Sequence, residues 1–210
     1  MTCKKGIGQG DYQLGWLPVI NVNKKLKQDF KVNFKLETRQ AFFGENDFYW
    51  KHQLVDLANV FSKKVGLSSS VAGGYLLRFR DNQLTFRLIQ QYAIIQNFSS
   101  FRFSHRFVTD QTFQKNKEPK FRLRYRLSSL VPLNGQSIDH KEFYFKINNE
   151  YLGGFQKNNN DLEVRLSIYL GYKFTDNNKL EFGLDNRFDS FIKEELEAKT
   201  WVHVIWYISI

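Results

Sequence analysis

Hydrophobic and polar residues alternate along most of the chain. From Phe30 to Arg39, the residues Phe30, Val32, Phe34 and Leu36 fall on one side, and Lys31, Asn33, Lys35, Glu37 and Arg39 on the other. Side chains of an extended strand point to opposite faces with a period of two, so this run predicts a two-faced β-strand. The pattern returns at 121–127, where Phe121, Leu123, Tyr125 and Leu127 oppose Arg122, Arg124 and Arg126. At 162–174, Leu162, Val164, Leu166, Ile168, Leu170, Tyr172 and Phe174 oppose Glu163, Arg165, Ser167, Tyr169, Gly171 and Lys173. At 180–189, Leu180, Phe182, Leu184 and Phe188 oppose Glu181, Gly183, Asp185, Arg187 and Asp189. Weaker copies lie near 12–22, 50–61, 65–79, 84–96, 101–109, 142–152 and 201–210. That makes about eleven strand candidates and no convincing helix; 190–199 reads as a loop.

Small polar turns join many of these runs, at Val22–Leu26, Phe61–Val65, Asn97–Ser100 and Phe174–Leu180, as hairpins require. The other connections, 41–49, 110–120, 153–161 and 190–199, read as longer or more polar. Short turns alternating with longer loops place the two classes at opposite ends of a meander, as in outer-membrane barrels. Run length points the same way. A membrane-crossing strand needs about 9–11 tilted residues, whereas soluble strands peak near 5–6. Alternation alone does not say which face is wet, since a soluble barrel would turn Phe and Leu inward. Length, meander order and loop asymmetry favour the membrane version.

The fold class expected is therefore all-β: a closed, antiparallel, up-and-down transmembrane β-barrel. Two termini on one side require an even strand number. Pro18 has no N–H for a ladder and weakens 12–22 as a regular strand, so ten strands are expected, with twelve as the alternative. Residues 12–210 form one barrel domain, and 1–11 are an N-terminal remnant or linker. An export signal is expected for such a protein, but Met1–Gly10 shows no apolar core of one.

Charge and composition narrow the function. The net charge is +10, aromatics make up 17% of the chain, and Cys3 is the single cysteine. The aromatic content excludes intrinsic disorder, the lone cysteine excludes a disulfide scaffold, and no run reaches the roughly 18 apolar residues of a membrane helix. In the membrane reading Phe34, Leu123, Tyr125, Leu166, Ile168, Phe182 and Trp206 face lipid. The opposite faces then line the lumen: Lys31, Lys35, Arg39, Arg102, Arg106, Arg122, Arg124, Arg126, Glu150, Glu163, Arg165, Glu181, Asp185 and Arg187. Barrels this small are narrow, and arginines paired with carboxylates fill much of such an interior. Arg122, Arg124 and Arg126 are expected to meet Glu150, Glu163, Glu181 or Asp185. The expected lumen is narrow, basic and largely filled by side chains; an anion-preferring channel or an accessory subunit of a membrane complex is the alternative.

No catalytic residue, cofactor or metal is expected. Ser104 and His105 are adjacent and point to opposite faces of a strand, so they form no dyad. His140, near Ser137 and Asp139, reads as a solvated turn residue. Gly73–Gly74 and Gly153–Gly154 precede no helix and are not phosphate loops. No Cys/His cluster supports a metal. A lipid-modifying enzyme and a soluble ligand-binding barrel are the less favoured readings. Nucleic acid is not an expected partner, because the basic and aromatic residues of 101–107 and 121–127 face opposite ways, whereas base stacking beside phosphates needs them together. The expected partners are outer-membrane lipid and other outer-membrane proteins met through the external loops.

Three segments carry a family resemblance. They are Arg102-Phe103-Ser104-His105-Arg106-Phe107, Phe121–Leu127, and Leu170-Gly171-Tyr172-Lys173-Phe174 followed by Leu180-Glu181-Phe182-Gly183-Leu184. The chain resembles, over roughly 12–210, an uncharacterised family of Bacteroidota outer-membrane proteins known as a domain of unknown function. The resemblance implies a small up-and-down β-barrel in a bacterial outer membrane, and it implies no activity.

Overall fold

The computed structural model describes residues 12–44, 47–157, 159–190 and 197–210. Eleven strands build one closed barrel: β1 (Tyr12–Lys25), β2 (Phe30–Gly44), β3 (Asp47–Lys64), β4 (Ser69–Arg80), β5 (Gln83–Asn97), β6 (Arg102–Gln114), β7 (Lys120–Pro132), β8 (Glu142–Gln156), β9 (Asn159–Lys173), β10 (Asn178–Asp189) and β11 (Glu197–Ser209). Consecutive strands pair antiparallel, and β1 closes against β11 as a parallel pair. Each of the eleven alternating runs became a strand. The all-β closed barrel expected from the pattern is the observed fold; its strand number is eleven, neither ten nor twelve.

An even strand number follows only where the two chain ends share a rim. A parallel seam lifts that requirement. Tyr12 pairs with Ala198 at one rim and Asn23 with Ser209 near the other, so the first and last strands run the same way. Pro18 is accommodated within β1. The β1–β2 register passes from Trp16↔Gln40 to Val19↔Glu37, while the β1–β11 register runs on through Pro18↔Val204. The missing N–H thus falls in a gap of one ladder and leaves the seam intact.

The expected difference in loop length between the rims is absent. Residues 41–44 and 47–49 extend β2 and β3, and 153–156 and 159–161 extend β8 and β9, so alternation continues almost to the hairpin tips. Of 110–120, the part up to Gln114 belongs to β6. Of 190–199, residues 191–196 lie outside the described residues, as do 1–11, and 197–199 open β11. The β4–β5 hairpin turns on Asp81 and Asn82 alone, both with positive φ (48° and 57°), as the tight primed turns demand. The longest described connection, 133–141, lies on the rim of the short turns. Polar residues near a hairpin tip read as loop in sequence, yet a tip strand needs no apolar face.

The barrel is turned inside out relative to a soluble one. Phe34, Leu123, Leu166, Ile168, Phe182 and Trp206 are 37–56% exposed on the outer wall. The most deeply buried large side chains include Glu150, Glu181, Asp56 and Asp110, together with Trp201, Tyr144 and Leu17. Aromatic residues crowd the outer wall towards both rims: Phe48, Trp50, Phe79 and Phe113 towards one, Phe61, Phe98, Phe143 and Phe174 towards the other. Two small apolar clusters interrupt the polar interior, one of Leu17, Val19, Tyr169, Trp201 and Ile205, the other of Ala58, Leu76, Ile89 and Val108.

Two glycines make room for interior aromatics. A Cβ on Gly171 would meet the Tyr144 ring at 2.2 Å, and one on Gly15 would meet the Trp201 ring at 2.2 Å. The rings therefore lie flat on bare backbone. Gly171→Val should displace Tyr144, break its bond to Glu181 and lower barrel stability by about 1–3 kcal/mol. Gly73→Ala, where a Cβ meets nothing within 4 Å, should be close to neutral. Urea denaturation midpoints of the two variants check the contrast, and equal shifts would contradict it.

Candidate functional site: a cation-lined lumen

The barrel encloses a cavity of about 1270 Å³ walled by residues from all eleven strands. Period-two alternation supplies the wall, since each strand that turns its apolar face out turns its charged face in. Sixteen cationic and five acidic side chains line it. Asp110, Glu150 and Glu181 lie beneath that lining, each no more than 2% exposed. Cations therefore outnumber carboxylates two to one.

Asp110 and Glu150 sit among six arginines. Arg122 donates from Nε and Nη2 to the two oxygens of Asp110 at 2.9 and 3.0 Å. Arg124 reaches Asp110 at 3.0 Å and Glu150 at 3.8 Å, so it bridges the two carboxylates. Arg87 lies 3.4 Å from Asp110 and donates to Thr112 at 2.9 Å. Glu150 stands opposite Arg126 in the β7–β8 register and accepts from its Nε at 3.0 Å and also from its Nη2. Arg106 and Arg165 each approach Glu150 to 4.0 Å.

The remaining pairs are more local. Glu37 binds Lys35 and Arg39, both at 2.9 Å, Asp185 binds Arg187 at 2.9 Å, and Glu163 binds Arg165. Each joins residues two apart on one strand face, about 7 Å along the backbone, a span that two long side chains close. Asp56 is gripped by both donors of Arg78, at 2.8 and 2.6 Å, across the β3–β4 pair. Glu181 accepts from Lys146 at 2.8 Å, from the Tyr144 hydroxyl at 2.9 Å and from the Tyr207 hydroxyl at 3.1 Å. Trp201 lies between the guanidinium groups of Arg39 and Arg187, each 5.9 Å from the ring, a cation–π arrangement.

Among the lumen residues named from sequence, Lys35, Arg39, Arg102, Arg106, Arg122, Arg124, Arg126, Glu163, Arg165, Asp185 and Arg187 line the cavity. Glu150 and Glu181 are buried behind it. Lys31 shares their strand face but stands exposed at the end of β2. Of the carboxylates expected for the β7 arginines, only Glu150 meets them. Glu163, Glu181 and Asp185 are taken by nearer cations, and Asp110 takes Arg122 and Arg124 instead. Asp110 was missed because 110–120 read as a loop; its place on the face of Arg106 and Val108 was the available signal. Arg78, Arg87, Tyr144, Trp201 and Tyr207 were missed with it.

The pairing is incomplete. Among the described residues, three of the cations that line the cavity, Lys51, Arg102 and Lys179, have no carboxylate within 4.0 Å. The Nε–H groups of Arg106, Arg124 and Arg187 are buried without an acceptor. A confined space lined this way attracts anions and repels small cations. Among the described residues, the serine and histidine neighbours weighed for nucleophile chemistry are placed as follows. Ser104 lines the cavity, while His105 is on the outer wall, 2.9 Å from the Tyr125 hydroxyl. His203 contacts the Tyr169 hydroxyl at 2.8 Å and lies 3.8 Å from Asp185. His140 pairs with Asp176 at 2.8 Å, while Ser137 binds Asp139 at 3.3 Å. No group of three or more His, Cys, Asp or Glu suited to a metal occurs among the described residues.

A model of the family described as "Protein of unknown function (DUF2490)" matches residues 15–196, and the chain belongs to that family. No curated protein and no solved structure matches it.

Two outcomes follow from the charge geometry. Glu150→Gln leaves four partly buried arginines short of a counter-charge and should cost about 3 kcal/mol, whereas Arg102→Gln should cost little; equilibrium denaturation of both variants checks this. At the β9–β10 turn, hydrogen bonds from Lys173 and His140 hold the Asp176 carboxyl below the usual aspartate range. A depressed carboxyl stabilises the fold above its unfolded pKa, and that contribution is lost as pH falls through the folded value. NMR titration of Asp176 should give a midpoint below that of an unpaired aspartate.

Proposed function

We propose that this member of the family is an integral β-barrel of a bacterial outer membrane whose basic lumen is a narrow, anion-preferring passage. One observation carries the reading: the wall is apolar outside and charged inside, with Leu123 56% exposed beside Arg122 and Arg124 side chains only 14% and 15% exposed. In water this arrangement would leave a large apolar surface uncovered and bury charge. Against acyl chains both halves of the pattern are favourable. A closed barrel also satisfies every ladder without an edge, as a bilayer demands. Aromatic crowding towards both rims matches the girdles that such barrels place at the interfaces. Strands of 12–18 residues exceed the roughly 9–11 needed to cross.

The cavity supports passage rather than a closed plug, and the two-to-one excess of cations supports the sign. The dense arginine–carboxylate network favours a second reading, in which the interior is a static polar core and the rims carry the function. Planar-bilayer recording separates the two. Under a KCl gradient the wild type should conduct with a reversal potential towards that of chloride, and Arg102→Glu with Arg106→Glu should shift it towards potassium. Cation selectivity in the wild type would refute the passage, and a folded, inserted barrel without conductance would favour the static core.

The membrane placement has its own check. Ile168→Arg places a charge on the apolar belt and should cost about 2–4 kcal/mol near the bilayer midplane. Ser167→Arg, one residue along and facing the lumen, should cost less. Refolding free energies into lipid vesicles measure both, and equal losses would contradict the assigned faces.

A further inference from the structure

A hydrogen-bonded polar cluster interrupts the apolar outer wall at β5 and β6. Gln90 Nε2 donates to Gln111 Oε1 at 3.1 Å, and Gln111 Nε2 donates back to Gln90 Oε1 at 3.1 Å. Thr109 Oγ1 donates to Gln90 Oε1 at 2.8 Å. Apolar residues enclose the cluster along both strands: Leu88 and Tyr92 flank Gln90 on β5, and Phe107 and Phe113 flank Thr109 and Gln111 on β6, all more than a third exposed. On the neighbouring strand Gly73 is the register partner of Gln90, and a Cβ added there would meet nothing within 4 Å. The amides therefore border a dent in the wall.

The cluster is only half satisfied. Each amide nitrogen carries two N–H groups and uses one, so Gln90 and Gln111 each keep a free donor. Gln111 Oε1 accepts one bond and has room for a second, and Thr109 Oγ1 accepts none. Two free donors thus stand beside two free acceptors. Within the hydrocarbon layer neither acyl chains nor water can meet them, and uncovered amides there are costly. Polar side chains in that position join membrane segments to one another. An apolar partner surface would leave the groups as unsatisfied as lipid does. The same patch on another copy offers donors to these acceptors and acceptors to these donors, which is the requirement of a two-fold, self-complementary contact.

We infer that the β4–β6 wall is where two copies of this chain meet inside the membrane, an inference that rests on the membrane placement proposed above. Across the two-fold axis the Gln90 and Gln111 amides of one copy bond those of the other, and the dent at Gly73 lets the two walls come close.

The test uses the refolded full chain in lipid vesicles. Flotation establishes insertion, and crosslinking over a range of protein-to-lipid ratios, with sedimentation in detergent, establishes the oligomeric state. The wild type should float and dimerise. Gln90→Leu combined with Gln111→Leu should weaken the dimer by about tenfold or more. Gly73→Phe, which the open space accommodates within one copy, should block the dimer sterically while circular dichroism remains that of the folded barrel. Asn149→Leu, an outer-face amide on β8 whose oxygen is buried, should leave association unchanged. A wild type that floats but stays monomeric at every ratio overturns the dimer and leaves the membrane placement standing. A dimer insensitive to both the glutamine and Gly73 variants overturns this interface. A wild type that does not float overturns the membrane placement and the interface together.

Discussion

Asp110 and Glu150 hold together what the β7 arginines would push apart. Arg122, Arg124 and Arg126 stand on one face of a single strand, about 7 Å apart, inside a closed wall that cannot expand to separate them. The β6–β7 register sets Asp110 across from Arg122, and the β7–β8 register sets Glu150 across from Arg126. A carboxylate therefore stands at each end of the triplet, and Arg124 spans the gap. A one-residue slip in either ladder would turn that ladder's carboxylate to the opposite face from the β7 arginines. The charge pairing thus specifies register here as strongly as a hydrophobic core does in a soluble sheet.

In the proposed bilayer setting the outside has to be apolar and the fold has to lack edges. The parallel seam between β1 and β11 meets the second demand. Pro18 sets a limit on it, because its ring cannot donate, and the gap in the β1–β2 ladder absorbs that defect. The interior meets a further demand of space. Trp201 and Tyr144 fit only because Gly15 and Gly171 leave the backbone bare beneath them, and Tyr144 then delivers its hydroxyl to Glu181.

Strand alternation made most of this legible from the sequence. The eleven runs, the outward Phe34, Ile168 and Trp206, and the inward β7 arginines all follow from period two. What escaped detection has physical causes. Closure by a parallel pair leaves no trace in local periodicity, so the count was pulled to an even number. Towards the hairpin tips polar residues and glycine break the apolar face, so β-structure such as 41–49 looks like loop in the sequence. Asp110 was lost to the same polar composition of 110–120, although its side chain is only 1% exposed. Pair partners are a property of the register, and sequence alone does not reveal that Asp185 reaches Arg187 on its own strand before any arginine of β7.

The paired arginines and the free cations do different work in the proposed passage. A guanidinium locked to a buried carboxylate presents little net field to an ion a few ångströms away, so Arg78, Arg122, Arg126 and Arg187 mainly build the wall. Sign selectivity must then come from cations without a partner, and these lie towards the two rims. Arg102 opens β6 and Lys179 lies one residue into β10, which puts both at the rim where β11 ends; Arg106, held to Glu150 only at 4.0 Å, stands two repeats of the pleat deeper on the same face as Arg102. Lys51, near the start of β3, lines the lumen towards the opposite rim. Anions entering the proposed passage from either rim therefore meet unpaired charge first, and the six-arginine network only afterwards.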